Sequence, residues 1–360
     1  MQLRRDCRRI VIKIGSSLFY AQGRLEVDSL RGVAEEILTL WRQGREVLIV
    51  SSGAIAMGME MLKLEARPKD LSFLQAAAAV GQHELMDIYR RNLKETGLSC
   101  AQVLLTCEDF DDRSRYLNAK NTLATLLKLK SVPIINENDT VSTDEIKFGD
   151  NDRLSAMVAS LINADLLIIL SDVDGLLDYD KKTVISLIEK ITPQIRGLAC
   201  PTNKKTSVGG MVTKVEAARI AVDSGIPCVI ANGRKKGAII ENTIKPGSLG
   251  TLFLPKKESL TAKRRWLAFS AKPKGSIIVD GGAKSALLNK KSLLSVGVVD
   301  LSGKFSCGDI VSVTDLEKDE FARGLSAISS QELLKVKGTR FKKEIIHRDN
   351  IVITKATADS

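Results

Sequence analysis

The sequence predicts an α/β protein: an αβα sandwich around a mostly parallel central sheet, followed by a small, barrel-like β-rich domain. Over residues 9–254, apolar runs of strand length alternate with stretches of helical periodicity, the pattern of a parallel sheet covered on both faces. Residues 164–170 are almost continuously apolar, as expected for a strand buried on both sides. Beyond residue 273, short β-like runs alternate with Gly and Asp turns instead. We therefore divide the chain into an α/β domain (1–256), a polar and basic linker (257–273), a β-rich domain (274–354) and a disordered tail (355–360).

The individual elements follow from local periodicity. Leu30 and Ile37, for example, recur at helical spacing and predict a helix over residues 28–43. Because parallel strands are joined by right-handed crossovers, the loops that follow the strands should gather at one edge of the sheet. The same rules predict strands at 9–14, 45–50, 99–106, 131–135, 164–171 and 225–233, a closing segment at 244–255, and helices at 76–97, 115–130, 153–163, 215–224 and 283–289.

Composition places the chain among ordinary globular proteins and argues against several functional classes. Aromatic residues are only 4% of the chain, too few for base-stacking platforms to dominate. No run of about 18 apolar residues is present, so we expect no transmembrane helix, and the apolar part of the N-terminus is too short for a signal peptide. Two histidines and six cysteines without a CxxC pair argue against zinc and indicate reduced, mostly buried thiols in a cytoplasmic protein. His83 lies on a predicted helix and is interpreted as a surface or packed residue, not as a catalyst.

Positive charge is concentrated in the last third of the chain. The net charge is +11, and residues 256–360 hold 20 Lys/Arg against 12 Asp/Glu, which places about +8 of the excess there. Such a balance fits nucleic-acid binding, but it also fits a solvated basic surface or a site for anionic substrates. The asymmetry supports two domains with different roles.

The most unusual stretch is the polar loop that begins after the predicted strand at 131–135 and closes at Asp152. A basic chain has placed its most acidic loop, with Glu137 and Asp139 among its carboxylates, at the carboxyl end of a strand. Ligands of open α/β sheets bind at that edge, so we expect this loop to hold a ligand. Its middle, residues 141–148, has no assigned role, and we expect it to be mobile.

Four other loops could serve a ligand, although each also has a simpler explanation. Lys13 at a strand's end, beside a Gly/Ser turn, could bring charge to a phosphate or could face solvent. The small residues at 51–54 allow either close approach of a ligand or a tight turn. The glycines 209–210 and Lys214, which precede a helix, form either a phosphate clamp or a flexible turn. The carboxylates in 171–175 could be metal ligands, nucleotide contacts or turn formers. A Walker A sequence is absent.

Taken together, these motifs resemble the amino acid kinase family, and within it the branch that phosphorylates L-glutamate. The resemblance covers nearly the whole chain, including a C-terminal module similar to the PUA domain of RNA-modifying enzymes. It implies ATP-dependent phosphorylation of the γ-carboxylate of L-glutamate to L-glutamyl 5-phosphate, the first step of proline biosynthesis, with Mg²⁺. The matching stretches are VIKIGSS, VSSGAIAMG, LQAAAAVGQ, LNAKNTL, PIINENDTVSTDEIKFGDND, LSDVDGL and GGMVTK.

Motif positions carry the implied roles to particular residues. Lys13 and Lys214 would contact the ATP phosphates, and Asp152 would orient these two catalytic lysines. Where relatives often have Thr, this chain has Val208, so one hydroxyl contact to the nucleotide is lost while the backbone cradle remains. No protein side chain is implied as a metal ligand. The implied glutamate-binding residues are Ser52, Asp139 and Asn151, and the implied nucleotide-binding residues are Lys13, Ser171, Asp172, Val208, Gly209, Gly210, Met211, Val212, Thr213 and Lys214.

Elementary chemistry supports these roles. A carboxylate is already deprotonated at neutral pH, since the reference pKa of a glutamate side chain is about 4.3, so phosphoryl transfer to it needs positioning and charge neutralisation more than a general base. The α-ammonium group of glutamate suits a carboxylate such as Asp139. A free carboxylate at Asp152 would repel phosphate, which favours its role as an organiser of lysines.

The resemblance also implies interactions with other molecules. L-proline would inhibit the enzyme by feedback at the glutamate site, and the chain would form a homo-oligomer. The labile product would be handed to glutamyl-phosphate reductase. The alternative function is RNA binding through the basic C-terminal module.

Overall fold

The computed structural model describes residues 7–21, 24–26, 30–94, 96–142, 151–178, 182–199, 210–255, 262–270 and 273–354. Several predictions fall outside these residues: Val208 and Gly209, the tail at 355–360, parts of the linker, and nearly all of the segment predicted to be mobile.

An eight-stranded sheet forms the centre of the larger part of the chain. The strand order is β10-β12-β11-β7-β1-β4-β6-β5. The six strands from β11 to β5 are parallel, and β12 pairs antiparallel with β11, so the sheet is mostly parallel, as predicted. Its strands are β1 (Arg9–Ile14), β4 (Glu46–Val50), β5 (Ser99–Leu105), β6 (Ser131–Glu137), β7 (Leu166–Ser171), β10 (Leu187–Ile188), β11 (Cys228–Asn232) and β12 (Thr251–Phe253). Two small hairpins pair β2 (Tyr20–Ala21) with β3 (Arg24–Leu25) and β8 (Leu177–Asp178) with β9 (Thr183–Val184).

Helices connect the strands of this sheet. One set, α1, α3 and α9, packs together, and a second pair, α6 and α8, packs against β1, β7 and β11. Alternate residues of β1 divide between the two faces of the sheet. Ile10, Ile12 and Ile14 join the core that also contains residues of α1, which turns Lys13 towards the other face. The helices are α1 (Arg31–Arg42), α2 (Ala54–Met61), α3 (Leu71–Lys94), α4 (Cys107–Asp111), α5 (Arg113–Lys128), α6 (Asn151–Leu161), α7 (Pro193–Leu198), α8 (Met211–Asp223) and α9 (Ala238–Ile244).

The C-terminal part has its own sheet and its own buried core. Five strands follow the order β14-β13-β15-β16-β17, with β13 and β15 parallel and the other pairs antiparallel. Ile277, Val313 and Ile346 are fully buried in this core. Its elements are β13 (Gly275–Val279), α11 (Gly281–Leu288), β14 (Val298–Gly303), β15 (Ile310–Thr314), β16 (Glu320–Leu325), α12 (Ser330–Val336) and β17 (Ile351–Ile353).

The chain separates into two compact units, with a division after residue 259 and residues 110–112 grouped with the C-terminal unit. Part of the predicted polar linker is folded. A short helix, α10 (Ala262–Arg265), leads into a π-helical turn (Trp266–Ser270), in which Trp266 and Leu267 are buried. The basic composition of this stretch predicts a linker, but its two buried apolar side chains stabilise local structure.

The cysteines of the described residues are free thiols. Cys7 and Cys228 are buried, whereas Cys307 is exposed, so burial is less general than the sequence suggested. Burial, followed by the nearby charge of Asp152, raises the pKa of the Cys228 thiol and keeps it protonated. Within the described ranges, none of the helices combines the length and the apolar character that a membrane span requires.

Candidate active site

The carboxyl ends of the parallel strands meet at one edge of the larger sheet. Val50, the last residue of β4, lies opposite Lys13 of β1 and opposite Ile135 of β6. At the other side of β1, Ser171 of β7 lies opposite Asn232 of β11. The polar loops after β1, β4, β6 and β7 are therefore neighbours, at the edge where α/β sheets bind ligands.

Three predicted residues form one buried cluster at this edge, which we call the lysine–aspartate cluster (Lys13, Asp152 and Lys214). Lys13 Nζ lies 2.6 Å from Asp152 Oδ1, and Lys214 Nζ lies 3.1 Å from Asp152 Oδ2. Lys13 comes from β1, Asp152 from the first turn of α6 and Lys214 from the first turn of α8. A single carboxylate thus fixes two ammonium groups that are about 200 residues apart in the chain.

The electrostatics of the cluster depend on its burial. The Asp152 side chain is fully buried, and the two lysine side chains are 7% and 9% exposed. Burial alone would raise the pKa of the Asp152 carboxyl, but the charges and hydrogen bonds of Lys13 and Lys214 outweigh it and hold that pKa below its usual range. The cluster therefore carries one net positive charge in a largely buried position, which suits it to an anionic ligand.

The start of α8 adds a further contact to this carboxylate. Thr213 Oγ lies 3.1 Å from Asp152 Oδ2 and 2.8 Å from the Gly210 carbonyl oxygen, and its single hydroxyl hydrogen is shared between these acceptors. Gly210 precedes α8 without a side-chain cap. Backbone N–H groups at such a helix start favour an anion, with help from the helix dipole. Met211 and Val212 complete this first turn, and the Val212 side chain is 41% exposed.

The other predicted residues lie at the same edge. Ser52, after β4, and Ser171, at the end of β7, are buried, and neither hydroxyl has a hydrogen-bond partner among the described residues. A buried hydroxyl without a partner costs free energy unless a ligand satisfies it, so both positions fit ligand contacts. Asp172 is exposed directly after Ser171, and Asp139 is half-buried in the loop after β6.

Asn151 is buried at the start of α6 and is fixed by neighbours. Its Nδ2 donates to the Ser51 carbonyl oxygen and to Asn136 Oδ1, the latter at 2.5 Å. Because a backbone carbonyl can only accept, this contact fixes the orientation of the amide. These two contacts use both amide hydrogens, so Asn151 would contact a ligand through Oδ1, which accepts a hydrogen bond.

Sequence reasoning missed the residues that support Asn151. Asn136 Nδ2 donates to Gln82 Oε1 at 2.7 Å, and Tyr89 Oη donates to Ser51 Oγ at 2.9 Å. A signal existed for Asn136, a polar residue at the end of an apolar strand. Tyr89 carried none, because a tyrosine on an amphipathic helix is normally a core residue.

The turn after β11 was also missed. One nitrogen of the Arg234 guanidinium, Nη2, donates to the Ser17 and Tyr20 carbonyl oxygens at 2.8 and 2.6 Å. In the same turn, Asn232 Nδ2 donates to Asp174 Oδ1 at 2.8 Å. These bonds connect the turn to the loops that follow β1 and β7, both of which are predicted to face the nucleotide.

The described residues contain no group of three or more His, Cys, Asp or Glu side chains that could hold a metal ion. Both oxygens of Asp152 face ammonium groups, so this carboxylate is engaged. A Mg²⁺ ion at this edge would fit if it arrived with phosphate oxygens and kept several waters, which is its usual behaviour.

The two parts of the chain match the models of two protein families. The model of the amino acid kinase family matches residues 8–232, and that of the PUA domain matches residues 275–348. A carbamate kinase structure from Giardia lamblia, bound to AMP-PNP, superimposes with a TM-score of 0.50 at 16% identity, and covers 69% of this chain and 99% of its own. The fold and the family match together define a member of the amino acid kinase class.

Curated relatives extend the match to nearly the full chain. A glutamate 5-kinase of Thermoanaerobacter sp. (strain X514) is 44% identical, over 96% of this chain and 97% of its own length. Those of Syntrophotalea carbinolica (43% identity; 97% and 98% coverage) and Rhodopseudomonas palustris strain TIE-1 (44%; 97% and 97%) are similarly close. The chain belongs to the glutamate 5-kinase family.

Proposed function

We propose that this chain transfers the γ-phosphoryl group of ATP to the γ-carboxylate of L-glutamate and forms L-glutamyl 5-phosphate, the first step of proline biosynthesis. The observation that carries the proposal is the buried lysine–aspartate cluster at the carboxyl edge of the sheet. The near full-length similarity to glutamate 5-kinases selects the acceptor.

The acceptor carboxylate and the ATP phosphates are both anions, so bringing them together is the main difficulty of the reaction. The cluster offers two ammonium groups already held in place, and these neutralise charge on the transferring group without reorganising at the moment of reaction. Asp152 positions both lysines and does not act as a base, since its lowered pKa makes it a poor proton acceptor.

Residues at the ends of β4 and β6 would bind glutamate. Asp139 would pair with the α-ammonium group, and Asn151 Oδ1 would accept a hydrogen bond from the same group. The unsatisfied hydroxyl of Ser52 would donate to a carboxylate of the substrate. Together these contacts would hold the γ-carboxylate near the lysines.

Residues at the ends of β7 and at the start of α8 would bind the nucleotide. Ser171 supplies a buried hydroxyl, and the first turn of α8 supplies backbone N–H groups for the phosphates. Asp172 is exposed beside Ser171. Val208 and Gly209, which lie outside the described residues, would also bind the nucleotide. Mg²⁺, bound through phosphate oxygens, would supply additional charge neutralisation.

The test is ADP release in the presence of ATP, Mg²⁺ and L-glutamate, together with trapping of the acyl phosphate as a hydroxamate by hydroxylamine. We expect glutamate-dependent ADP release with a matching yield of hydroxamate. Activity with aspartate or carbamate, and none with glutamate, would contradict the substrate assignment.

We further propose competitive feedback inhibition by L-proline, which shares the α-carboxylate and a cationic nitrogen with glutamate and so fits Asp139 and Asn151. A raised apparent KM for glutamate at unchanged kcat would support it, whereas an inhibition that glutamate does not relieve would contradict it. We also propose that the chain forms a homo-oligomer, which light scattering tests, and that it is cytoplasmic, which cell fractionation tests. Hand-off of the product to glutamyl-phosphate reductase is tested by co-sedimentation of the two proteins.

RNA binding as the main function is not favoured. The proteins matched along nearly the whole chain are kinases, and the PUA match is confined to residues 275–348.

A further inference from the structure

A chain of four hydrogen bonds lies behind the proposed glutamate site, and helix α3 closes it into a ring. The two ends of the chain are residues of α3 seven positions apart, which lie about two helical turns apart on one face. In order around the ring, its members are Tyr89, Ser51, Asn151, Asn136 and Gln82. These bonds connect the end of β4 and the start of α6, the two elements proposed to approach the substrate, to one helix, α3.

Ser51 is the branching point of this ring. Its hydroxyl accepts from Tyr89 at 2.9 Å and lies 3.3 Å from the Ser52 carbonyl oxygen, to which it donates. Its own carbonyl oxygen accepts from Asn151, and its N–H donates to the Ile135 carbonyl oxygen at 2.8 Å. Ser51 is fully buried. Asn151, to which it is bonded in the ring, and Ser52, which follows it in the chain, are both proposed to bind glutamate.

Tyr89 holds Ser51 from a rigid position. The Tyr89 ring is 2% exposed and meets the Phe19 ring edge-on, with centroids 6.0 Å apart. Burial raises the pKa of the Tyr89 hydroxyl, which therefore remains a hydrogen-bond donor throughout the physiological range. Packing of the ring fixes where the hydroxyl is, and the hydroxyl fixes Ser51.

We propose that Tyr89 is a positioning residue for the glutamate site: its hydroxyl holds Ser51, and through Ser51 it sets the positions of Ser52 and Asn151. This inference rests on the proposed function, because the affected substrate is the glutamate of that reaction. A merely structural tyrosine would affect stability and leave substrate affinity unchanged.

The first test is Tyr89→Phe, which removes the hydroxyl and retains the packed ring. We expect the KM for glutamate to rise about three- to tenfold, the effect of one lost hydrogen bond, while kcat and the KM for ATP change by less than about twofold. The matched control is Tyr116→Phe, at a buried tyrosine of α5, which should leave the KM for glutamate unchanged. An unchanged KM for glutamate in Tyr89→Phe, with or without a lower Tm, overturns the inference.

A double-mutant cycle tests the path through Ser51. Ser51→Ala removes the acceptor and leaves the Tyr89 hydroxyl buried without it, so this variant should also raise the KM for glutamate. Because both substitutions break the same chain, the double variant should have a KM no higher than that of Ser51→Ala alone, and additive effects would overturn the proposed path. If Tyr89→Phe does not fold, Ser51→Ala carries the same expectation.

The wild-type assay separates the two proposals. A wild-type chain without glutamate-dependent ADP release overturns the proposed function and this inference with it. An active wild type whose glutamate KM is insensitive to Tyr89→Phe and Ser51→Ala overturns only the inference.

Discussion

At the scale of single residues, Lys13 and Lys214 differ from surface lysines because both are buried and share one counter-ion. Replacing either with methionine keeps most of the volume of the side chain and removes its charge. We expect Lys13→Met and Lys214→Met each to lower kcat by about 100-fold or more, since each removes charge stabilisation of the transferring group. Steady-state kinetics measure the effect. Lys245→Met, at an exposed lysine, is the control, and near-normal turnover in either buried variant would remove that lysine from the mechanism.

The lowered pKa of Asp152 predicts how the free energy of unfolding depends on pH. Its pKa is lowered to about 2 in the folded chain, so its contribution is fully present above the unfolded-state pKa of about 3.9 and is lost progressively as the pH falls from there through the folded-state pKa. Asp152→Asn should lower the free energy of unfolding at pH 7 by about 3–5 kcal/mol, because two buried ammonium groups lose their counter-ion. Urea denaturation of both proteins between pH 7 and pH 3 measures this. The difference between them should shrink at the acidic end, and a constant difference would contradict the assignment.

At the scale of elements, α2 and α3 approach each other so closely that only glycine fits at two positions. A Cβ at Gly81 would lie 1.9 Å from the Ala54 carbonyl oxygen, and one at Gly58 would lie 1.7 Å from the Ala77 carbonyl oxygen. Since α2 begins two residues after Ser52 and α3 carries Tyr89, this contact joins two elements of the proposed glutamate site.

Gly81→Ala should therefore destabilise the chain by at least about 1–3 kcal/mol, because the added methyl group meets backbone that must move. It should also raise the KM for glutamate. Gly32→Ala in α1 is the matched control: nothing lies within 4 Å of the added Cβ, and the substitution should stabilise by about 0.4–1 kcal/mol. Thermal melting compares the two variants, and equal Tm values would show that the close approach is not as tight as described.

The elements also show which features a sequence can predict. Residues 9–14 were predicted as a strand and form β1 with those bounds, because four of the six residues are apolar and all four are fully buried. Helices α6 and α8 begin at Asn151 and Met211, whereas apolar periodicity predicted starts at 153 and 215. The first turn of α6 is polar, and that of α8 contains Lys214 and the exposed Val212, so apolar periodicity detects neither turn.

The candidate site could also be predicted in part from the sequence. The motifs identified Lys13, Asp152 and Lys214, and the structure brings these three together. Their roles in catalysis stay predictions. The supporting ring around Ser51 could not be predicted, because its members come from four separate segments of the chain. Only the folded chain shows that they are neighbours.

At the scale of the whole molecule, the chain has two tryptophans, one in each compact unit: Trp41 in the larger and Trp266 in the C-terminal unit. Trp41→Phe leaves fluorescence that reports on the C-terminal unit, and Trp266→Phe leaves fluorescence that reports on the larger one. Because each unit has its own buried core, we expect two urea transitions with different midpoints.

A core substitution identifies each transition. Ile277→Ala, at a fully buried position of β13, should lower the midpoint reported by Trp266 by an amount equivalent to about 2–5 kcal/mol. The midpoint reported by Trp41 and the kinase activity should be unaffected. A common shift of both midpoints would show that the two units unfold together.

The lysine–aspartate cluster also limits how such an enzyme can diverge over generations. Its three members belong to β1, α6 and α8, so no single short insertion or deletion can move them as a set. A lineage that loses only the carboxylate retains two like charges in a largely buried site, which is costly to the fold before it affects catalysis. The three positions should therefore be inherited as one character, retained or abandoned together, even where the surrounding loops diverge freely.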